Sequence, residues 1–509
     1  MIFCVSSSLH LRAYIIQFAI NQLPFTQKFP EELKKCLSDE KCKSQEISVN
    51  PLPCWGYEEN CHRNLVYSQP VCTENDGIHQ HFKKNKTSIF YNQGDFGYIK
   101  SQRESIRVIC EPKFKEDTAL ECSDHLQFCR GRNLFMNFSS LSTIKEPFRY
   151  KMDVFSYGDI GGYCELHKKR LSSLVDHLSP LQSWAPEIRF FKQFDERPIV
   201  NNLCDIIIMK PTFIMKIDAT VNMYHHFCDF FNLYASLHVN MSHPLTFSTD
   251  INIIIWETFP YHSNFDEMWR VFSNNPILTL RNFIGKTVCF KNVVFPLLPR
   301  MIFGLYYNTP LISGCKKSGL FKAFSEFVLH RLKIKEHERE NSQIKITLLS
   351  RETSFRNILN EKDLINSLSQ NKSYNVKKTV FNKNMRFSSQ LEIIRNTDIL
   401  IGMHGAGLTH LLFLPDWAGV FELYNCEDEN CYMDLARLRG VEYITWEDKN
   451  KLFKEDEGHH PQGGAHAKFT NYAFDVDEFL RLVDKLVSRV IHHEKFLKKI
   501  TLVQRHEEL

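Results

Sequence analysis

The chain has 509 residues, of which 43% are hydrophobic and 24% are charged, close to the average of globular proteins. This composition excludes a largely disordered or fibrous protein, and the length predicts two to four domains of about 100 to 200 residues each. Lysine and arginine number 63 against 59 acidic residues, without a long basic run, which excludes a nucleic-acid-tracking surface. An anionic ligand therefore has to be bound by a local site.

Residues 1–25 form a weak signal-like segment. Its apolar stretch is interrupted by Ser6 to Ser8, His10 and Arg12, whereas a signal peptide has an unbroken apolar core. Either the segment is a weak leader, or Met1 is not the true start. No apolar run reaches the length of about 20 residues that spans a bilayer, so we expect no membrane span.

Residues 26–178 are predicted to form a cysteine-rich N-terminal region with few long periodic segments. Twelve of the 16 cysteines lie between Cys4 and Cys228, and the CxxC pairs of a zinc ribbon are absent. Clustered cysteines indicate either metal sites or a disulfide framework, and this spacing favours disulfides. Four N-glycosylation sequons point to the same lumenal environment, at Asn85, Asn137, Asn240 and Asn371.

From residue 179 onward, apolar runs alternate with amphipathic stretches, which is typical of α/β domains. We expect a first Rossmann-like domain at 179–340 and a second at 341–505. The first has predicted strands at 204–209, 251–256 and 287–295, and predicted helices at 224–239, 266–272 and 319–332. The second has predicted strands at 344–349, 374–380, 398–403 and 419–423, and predicted helices at 361–369, 388–396, from about Leu408, and at 475–490.

Two such blocks predict two doubly wound domains. Ligands of such folds bind outside the carboxyl ends of strands, so we expect the site in the crevice between the two halves. The residues that immediately follow strands are therefore the first candidates for chemistry.

The most concentrated candidate is a glycine-rich turn that follows strand 398–403 and opens a helix. Small residues let the backbone approach a ligand, and a helix N-terminus favours phosphate. The pattern is neither a dinucleotide-binding GxGxxG unit nor a P-loop, so the turn is either structural or an anion site. Its two larger polar residues favour the anion site, and the candidates are Gly402, His404, Gly405, Ala406, Gly407 and Thr409.

Arg351 and Arg356 follow strand 344–349. A guanidinium at a strand end binds a diphosphate in bidentate fashion, whereas an isolated surface arginine would pair with a neighbouring carboxylate. Two arginines in the same block as the glycine turn favour the anion site, with Asn360 close behind them. Glu422 either accepts hydrogen bonds from sugar or ribose hydroxyls or caps a helix.

The first block carries His225, His226 and Asp229 in an otherwise aromatic stretch. His225 and Asp229 are four residues apart, on one helical face. The spacing suggests no third metal ligand, so we predict no metal here and favour a general base.

The chain ends in His506, Glu507, Glu508 and Leu509, a near variant of the KDEL retrieval signal. The alternative is an ordinary charged helix end. Together with the cysteines and sequons, residues 506–509 predict a soluble protein of the endoplasmic reticulum lumen that a KDEL-type receptor retrieves.

Several motifs resemble those of the EGF-domain-specific O-linked N-acetylglucosamine transferases, within the plant xylosyltransferase-like glycosyltransferase family. The similar segments are residues 54–57, 95–98, 161–164, 223–229, 298–301, 307–314, 401–417 and 421–428. The resemblance, from about Cys36 to Leu509, implies an α/β fold with a GT-B-like pair of Rossmann-like domains. It implies inverting transfer of N-acetylglucosamine from UDP-GlcNAc to Ser or Thr hydroxyls of folded EGF-like domains in the endoplasmic reticulum lumen. The implied partners are extracellular proteins with such domains, as in Notch-type receptors and matrix proteins.

By the same resemblance, Arg351, Arg356 and the glycine turn bind the nucleotide diphosphate. Asp229, helped by His225, is the expected base, and no tightly bound cofactor is implied.

One departure from the relatives bears on metal dependence. They carry an Asp-Tyr-Asp triplet, of a kind often proposed to hold a divalent cation beneath UDP, where this chain has Ser273, Asn274, Asn275 and Pro276. Either the triplet is not a metal site in this fold, which we favour, or activity is reduced, and the Mn²⁺ dependence stays open. The loss supports an alternative function, a non-catalytic lectin or quality-control protein of the endoplasmic reticulum that binds EGF modules.

Overall fold

The structure is a computed structural model that describes residues 54–58, 61, 66–73, 80–141, 147–240, 247–301, 304–306, 309, 312 and 314–507, without the side chains of 80–85 and 502–507. The signal-like segment and two residues of the predicted retrieval signal, Glu508 and Leu509, lie outside the described residues. His506 and Glu507 belong to the last helix.

Twenty strands are present among the described residues. In chain order they are β1 Val71–Cys72, β2 Arg107–Glu111, β3 Ala119–Cys122, β4 Cys129–Asn137, β5 Ile160–Gly162, β6 Glu165–Leu166, β7 Phe191–Gln193, β8 Ile206–Ile208, β9 Thr212–Met215, β10 Asn252–Ile255, β11 Leu278–Thr279, β12 Thr287–Phe295, β13 Cys315–Lys316, β14 Ile344–Ser350, β15 Tyr374–Val380, β16 Ile399–Gly402, β17 Gly419–Glu422, β18 Glu442–Thr445, β19 Leu452–Lys454 and β20 Tyr472–Phe474.

The α-helices of the described part are α1 Gln80–Gly94, α2 Phe96–Glu104, α3 Lys168–Leu174, α4 Ala185–Ile188, α5 Met223–Val239, α6 Trp269–Phe272, α7 Gly319–Arg331, α8 Glu361–Ser369, α9 Phe387–Arg395, α10 Cys431–Arg439, α11 Val476–Ile491 and α12 Glu494–Glu507. Short 3₁₀ helices lie between them, including Asp266–Met268 and Ala406–Phe413. Across the described ranges, no helix combines the length and the apolar character needed to cross a bilayer.

The chain forms two compact units. Unit 1 comprises Met1–Ser68 and Ser88–Pro310, and unit 2 comprises Gln69–Thr87 and Leu311–Leu509. The predicted fold class is confirmed: the protein is α/β, with two Rossmann-like sheets and a disulfide-rich N-terminal region. The predicted domain boundaries at residues 179 and 341 stay predictions.

Unit 1 is built on one large mixed sheet. Its parallel part has the order β11-β10-β9-β12, and the antiparallel strands β4, β3, β2 and β6 extend it beyond β12. Read along the chain, the parallel order is 3-2-1-4, which is half of the doubly wound Rossmann topology. The order in which successive strands are added to the sheet reverses between β9 and β12, which defines a topological switch point in unit 1.

Unit 2 is built on a five-stranded parallel sheet with the order β15-β14-β16-β17-β18. Along the chain this is 2-1-3-4-5, the flavodoxin-like version of the doubly wound fold, so its switch point lies between β14 and β16. Leu349 pairs with Gly402, so both strands end at the same level. Helix α11 covers this sheet with a stripe of buried residues at spacings of three and four, namely Phe479, Leu482, Val483, Leu486 and Val490.

The cysteines form a disulfide framework, as predicted. Five disulfides join the described residues, at Cys54–Cys61, Cys72–Cys315, Cys110–Cys164, Cys122–Cys129 and Cys204–Cys289. Four have both partners in unit 1, and Cys72–Cys315 links the two chain segments of unit 2.

Most predicted elements of the α/β part are present within one or two residues. The predicted helix from about Leu408 is instead a 3₁₀ helix that begins at Ala406, and the predicted helix 266–272 divides into a 3₁₀ turn and the short α6. The prediction missed β9 because Lys210 and Pro211 divide one apolar run into β8 and β9. It also missed β18, α10 and α12.

A buried ion pair ties β9 to the helix α4. The Lys216 ammonium lies 2.8 Å from the Glu187 carboxylate, and both side chains are almost completely buried. Lys216 also donates a hydrogen bond to the Pro180 carbonyl at 3.0 Å and lies over the ring of Trp184. Burial lowers the pKa of Lys216 and raises that of Glu187, so each charge persists in the interior only because of the other.

Lys216→Met removes one partner and leaves the other uncompensated, so we expect a loss of about 3 to 5 kcal/mol in the free energy of unfolding. The double variant Lys216→Met with Glu187→Leu should recover most of that loss. Urea denaturation followed by circular dichroism measures both, with exposed Lys192→Met as the control. A double variant as unstable as the single one would contradict this account.

Candidate functional site

The predicted anion-binding residues meet at the switch point of unit 2. Arg351 directly follows β14, and His404 and Gly405 follow β16. Ligands of open parallel sheets bind at the carboxyl ends of the strands where the strand order reverses. The fold therefore brings the arginines and the glycine turn to the location where a nucleotide is expected.

Gly405 lies against both guanidinium groups. Its φ of 152° favours glycine, and a Cβ there would overlap Arg351 Nη1 and lie 3.4 Å from Arg356 Nη1. Arg356 Nη1 donates to the His404 carbonyl at 3.1 Å, whereas Arg356 Nε is buried without a hydrogen-bond partner. Arg356 itself has a left-handed φ of 62°, and its N–H donates to the Thr470 carbonyl at 2.8 Å. Such strained backbone is common at functional sites.

The electrostatics of this pair favour an anionic ligand. Burial, and then the charge of Arg356, lowers the pKa of Arg351 to about 10. Within the described residues, neither arginine has a carboxylate at ion-pair distance. The cation of Arg351 is thus less favourable in the folded protein than in the unfolded chain, a cost to stability at every pH below about 10. An anion bound here would relieve that cost.

His404 lies between two carboxylates. Its Nδ1 is 2.8 Å from Oε1 of the fully buried Glu422, and its Nε2 is 3.8 Å from Oδ2 of Asp428. The hydroxyl of Tyr443, on the neighbouring strand, donates to the other oxygen of Glu422 at 2.5 Å. Asp428 also accepts a hydrogen bond from Lys468 at 2.8 Å. Glu422 is therefore occupied in fixing the histidine ring, and the Nε2 side of the ring faces the more exposed Asp428.

The remaining predicted residues of unit 2 pack against or form hydrogen bonds with other parts of that unit. A Cβ on Gly407 would lie 2.7 Å from Leu349 Cδ2, and Thr409 is buried within the 3₁₀ helix that Ala406 begins. The side-chain amide of Asn360 donates to the Phe474 carbonyl and accepts from its N–H, so both of its polar atoms are used.

A second polar cluster lies at the switch point of unit 1. Asp218 follows β9, and Arg300 follows β12. The Asp218 Oδ2 atom lies 2.8 Å from Nδ1 of His225 and 3.0 Å from Nε of Arg300. A cavity of about 250 Å³ is lined by Asp218, Arg300 and Tyr150. Although burial opposes ionisation, the hydrogen bonds from His225 and Arg300 hold the pKa of Asp218 below its usual value.

Asp229 and His226 point into the interior instead. Asp229 is 1% exposed and accepts a hydrogen bond from the Asp218 N–H at 3.1 Å. His226 Nδ1 is 3.0 Å from Asp229, and its Nε2 is 2.9 Å from the Tyr261 hydroxyl. Burial raises the pKa of Asp229 well above its usual value and lowers that of His226 to about 3, so burial opposes the charge on both groups.

The segment that replaces the acidic triplet lies at the other edge of the unit 1 sheet. Asn275 precedes β11, which runs parallel to β10, so it lies at the amino ends of these strands. Its side chain donates to the Ile251 carbonyl, and Asn274 bonds Thr249. This edge is opposite to the one where Asp218 lies.

Three of the four sequons have described side chains. Asn371 is exposed, Asn137 is partly buried and donates to Asp159 at 2.9 Å, and Asn240 ends α5. Asn85 lies in α1, where the side chain is not described.

Sequence reasoning missed Asp218, Arg300, Asp428 and Lys468. The rule that functional residues follow strands would have found Asp218 if β9 had been recognised. Arg300 lies several residues beyond the predicted strand 287–295, Asp428 lies in a loop and Lys468 lies in a short 3₁₀ helix, so no strand end marks them directly.

Comparisons with known proteins give one matching family model and several relatives. A family model described as Glycosyltransferase 61 matches residues 223–421. A Drosophila melanogaster protein named "EGF domain-specific O-linked N-acetylglucosamine transferase" is 54% identical over 447 residues, which cover 88% of this chain and 86% of that protein. Proteins of the same name from Bos taurus and Gallus gallus are 47% and 48% identical, over 93% and 89% of this chain and 89% and 84% of their own lengths.

We expect Asp229→Asn to unfold close to the wild-type urea midpoint, whereas Asp229→Ala should lose about 1 to 3 kcal/mol. An asparagine keeps an acceptor for the Asp218 N–H and a donor for His226 Nδ1, as a protonated Asp229 does. Exposed Asp195→Asn is the control. If Asp229→Asn is as unstable as Asp229→Ala, Asp229 is ionised in the folded protein.

Proposed function

The chain belongs to the glycosyltransferase 61 family and is a glycosyltransferase, and from this premise we propose that it transfers N-acetylglucosamine from UDP-GlcNAc to Ser or Thr hydroxyls of folded EGF-like domains. The proposed acceptor and the proposed sugar follow from the names of the relatives. The donor follows from the family together with the cationic site of unit 2. The stereochemistry we propose is inverting, through a single displacement at the sugar.

The observation that carries the proposal is the pair of arginines around Gly405. Arg351 and Arg356 are two guanidinium groups with low solvent access and no carboxylate partner in the described part of the chain, at the switch point of a parallel sheet. A diphosphate offers oxygens that guanidinium groups bind in bidentate fashion. Unit 2 therefore holds the UDP moiety, and the N–H groups at the start of the 3₁₀ helix Ala406–Phe413 add to the positive potential.

The base we propose differs from the one that the sequence suggested. Burial opposes the ionisation of Asp229, whereas the pKa of Asp218 is held below its usual value and its carboxylate holds Nδ1 of the partly exposed His225. In this scheme His225 Nε2 takes the proton of the acceptor hydroxyl, and Asp218 stabilises the resulting imidazolium. The hydroxyl oxygen forms a bond to the anomeric carbon while the bond to the β-phosphate oxygen breaks, and its electron pair leaves with UDP.

The proposed compartment is the lumen of the endoplasmic reticulum. Five disulfides among the described residues are typical of an oxidising compartment. The exposed sequon at Asn371 is consistent with it, and residues 506–509 would supply retrieval. The proposed partners are secreted and membrane proteins that carry EGF-like domains, including Notch-type receptors and matrix proteins.

We propose that the arginines neutralise the diphosphate without a requirement for Mn²⁺. Asn274 and Asn275 lie at the amino ends of the unit 1 strands, which supports the view that the lost triplet is not a catalytic metal site. Across the described residues, the closest group of three metal-ligating side chains is Cys54, Glu58 and Cys61, and its two cysteines form a disulfide.

Incubation of the purified protein with radiolabelled UDP-GlcNAc and a folded EGF repeat tests the function. We expect label on the repeat both with and without Mn²⁺, and none on the reduced, unfolded repeat. Binding of the repeat without label, in either condition, would favour the non-catalytic EGF-binding alternative.

We expect Arg351→Ala to fold normally and to lower turnover by about 10² or more, the usual effect of losing one preorganised charge donor. Arg281→Ala, an exposed arginine of unit 1, is the matched control and should keep wild-type turnover. Unchanged turnover in Arg351→Ala would remove this residue from the donor site.

The same substitution at each position distinguishes the roles of the two candidate carboxylates, Asp218 and Asp229. Asp218→Asn should lower kcat by about 10² or more because His225 loses the charge that stabilises its imidazolium. Asp229→Asn should keep kcat within about tenfold, since Asp229 holds the Asp218 backbone and the His226 ring rather than His225. The opposite ranking of the two variants in the labelling assay would restore Asp229 as the base.

A further inference from the structure

An ion pair without a role in the scheme above lies at the same edge of the unit 2 sheet. Lys468 Nζ is 2.8 Å from Asp428 Oδ2, and the same oxygen is 3.8 Å from Nε2 of His404. The side chains of Lys468 and Asp428 are 30% and 41% exposed. Ligands can therefore reach both, and an ion pair of this exposure adds only about 0 to 1 kcal/mol to stability.

Backbone and ring contacts hold Lys468 next to the arginines. The Thr470 carbonyl accepts the hydrogen bond of the Arg356 N–H. The rings of Phe469 and Phe355 pack edge to face, with their centroids 5.5 Å apart. On the other side, the Tyr472 hydroxyl donates to the Ala467 carbonyl at 2.7 Å. Segments on both sides of Lys468 are thus fixed, and its ammonium lies at the edge where the diphosphate is proposed to bind.

The charge balance of the reaction explains why a third cation is useful there. The diphosphate of an intact sugar nucleotide is a diester with one negative charge on each phosphate, which two guanidinium groups balance. When the bond to the anomeric carbon breaks, its electron pair stays on the β-phosphate oxygen, and the leaving nucleotide gains one negative charge. A cation that interacts mainly with this new charge raises kcat, because it stabilises the transition state more than the bound donor.

We propose that Lys468 is this third cation, and that Asp428 is a positioning residue that pairs with it until UDP departs. The inference rests on the proposed function and adds a catalytic residue to it. Asp428 neutralises the ammonium while the diphosphate carries only its two original charges, and Lys468 turns to the β-phosphate as the third charge develops.

The test compares donor and product in four variants, by calorimetric titration with UDP and UDP-GlcNAc and by steady-state kinetics. Lys468→Met should lower kcat by about 10-fold to 10², leave KM for UDP-GlcNAc within about threefold, and weaken UDP binding about tenfold. Lys468→Arg keeps the charge and should recover most of kcat. Asp428→Asn releases the ammonium and should tighten UDP, but not UDP-GlcNAc, by several-fold. Lys454→Met removes a comparable exposed lysine and should change nothing.

Equal weakening of UDP and UDP-GlcNAc with kcat unchanged would reduce Lys468 to a general electrostatic contributor and overturn the inference. Unchanged UDP affinity in Lys468→Met would overturn it as well. In that case, weakened UDP binding in Arg351→Ala would show that the proposed function still stands. If the wild-type protein binds neither nucleotide, the proposed function fails together with the inference.

Discussion

The proposed chemistry depends on two partly buried guanidinium groups that have no carboxylate at ion-pair distance among the described residues. Arg351 and Arg356 both lie against Gly405, where the backbone conformation and the lack of a side chain leave space for them. Burial lowers the pKa of Arg351, so its cation carries an electrostatic cost that a bound diphosphate would offset. The parallel sheet brings Arg351 and the glycine turn to the same place, since β14 and β16 end at one level.

The two units carry different chemistry at the same kind of position in the fold. In each, the residues that matter follow the strands on either side of a topological switch point: Asp218 and Arg300 in unit 1, and Arg351 and Gly405 in unit 2. Unit 1 offers an ionised carboxylate that orients a histidine, and unit 2 offers two guanidinium groups that lack a carboxylate partner in the described part of the chain. An acid–base pair and an anion site are the two functions that transfer from a sugar nucleotide requires.

The sequence predicted unit 2 more accurately than the chemistry of unit 1. Strand β16 is an uninterrupted apolar run, and β14 is an apolar-rich run interrupted by Lys345 and Thr347. The ends of both strands, and with them the arginines and the glycine turn, are therefore predictable from the sequence. The expected base, Asp229, follows from the resemblance and from its helical spacing with His225, but α5 is buried on nearly all sides, and Asp229 faces the interior. Asp428, in a loop, and Lys468, in a short 3₁₀ helix, are 40 residues apart, and only tertiary structure brings them together.

A crystal structure with UDP bound tests the central claim most directly. The account predicts diphosphate oxygens about 2.7 to 2.9 Å from the guanidinium nitrogens of Arg351 and Arg356, next to the N–H groups that follow Gly405. UDP bound elsewhere on the protein, or no bound UDP at saturating concentration, would contradict it.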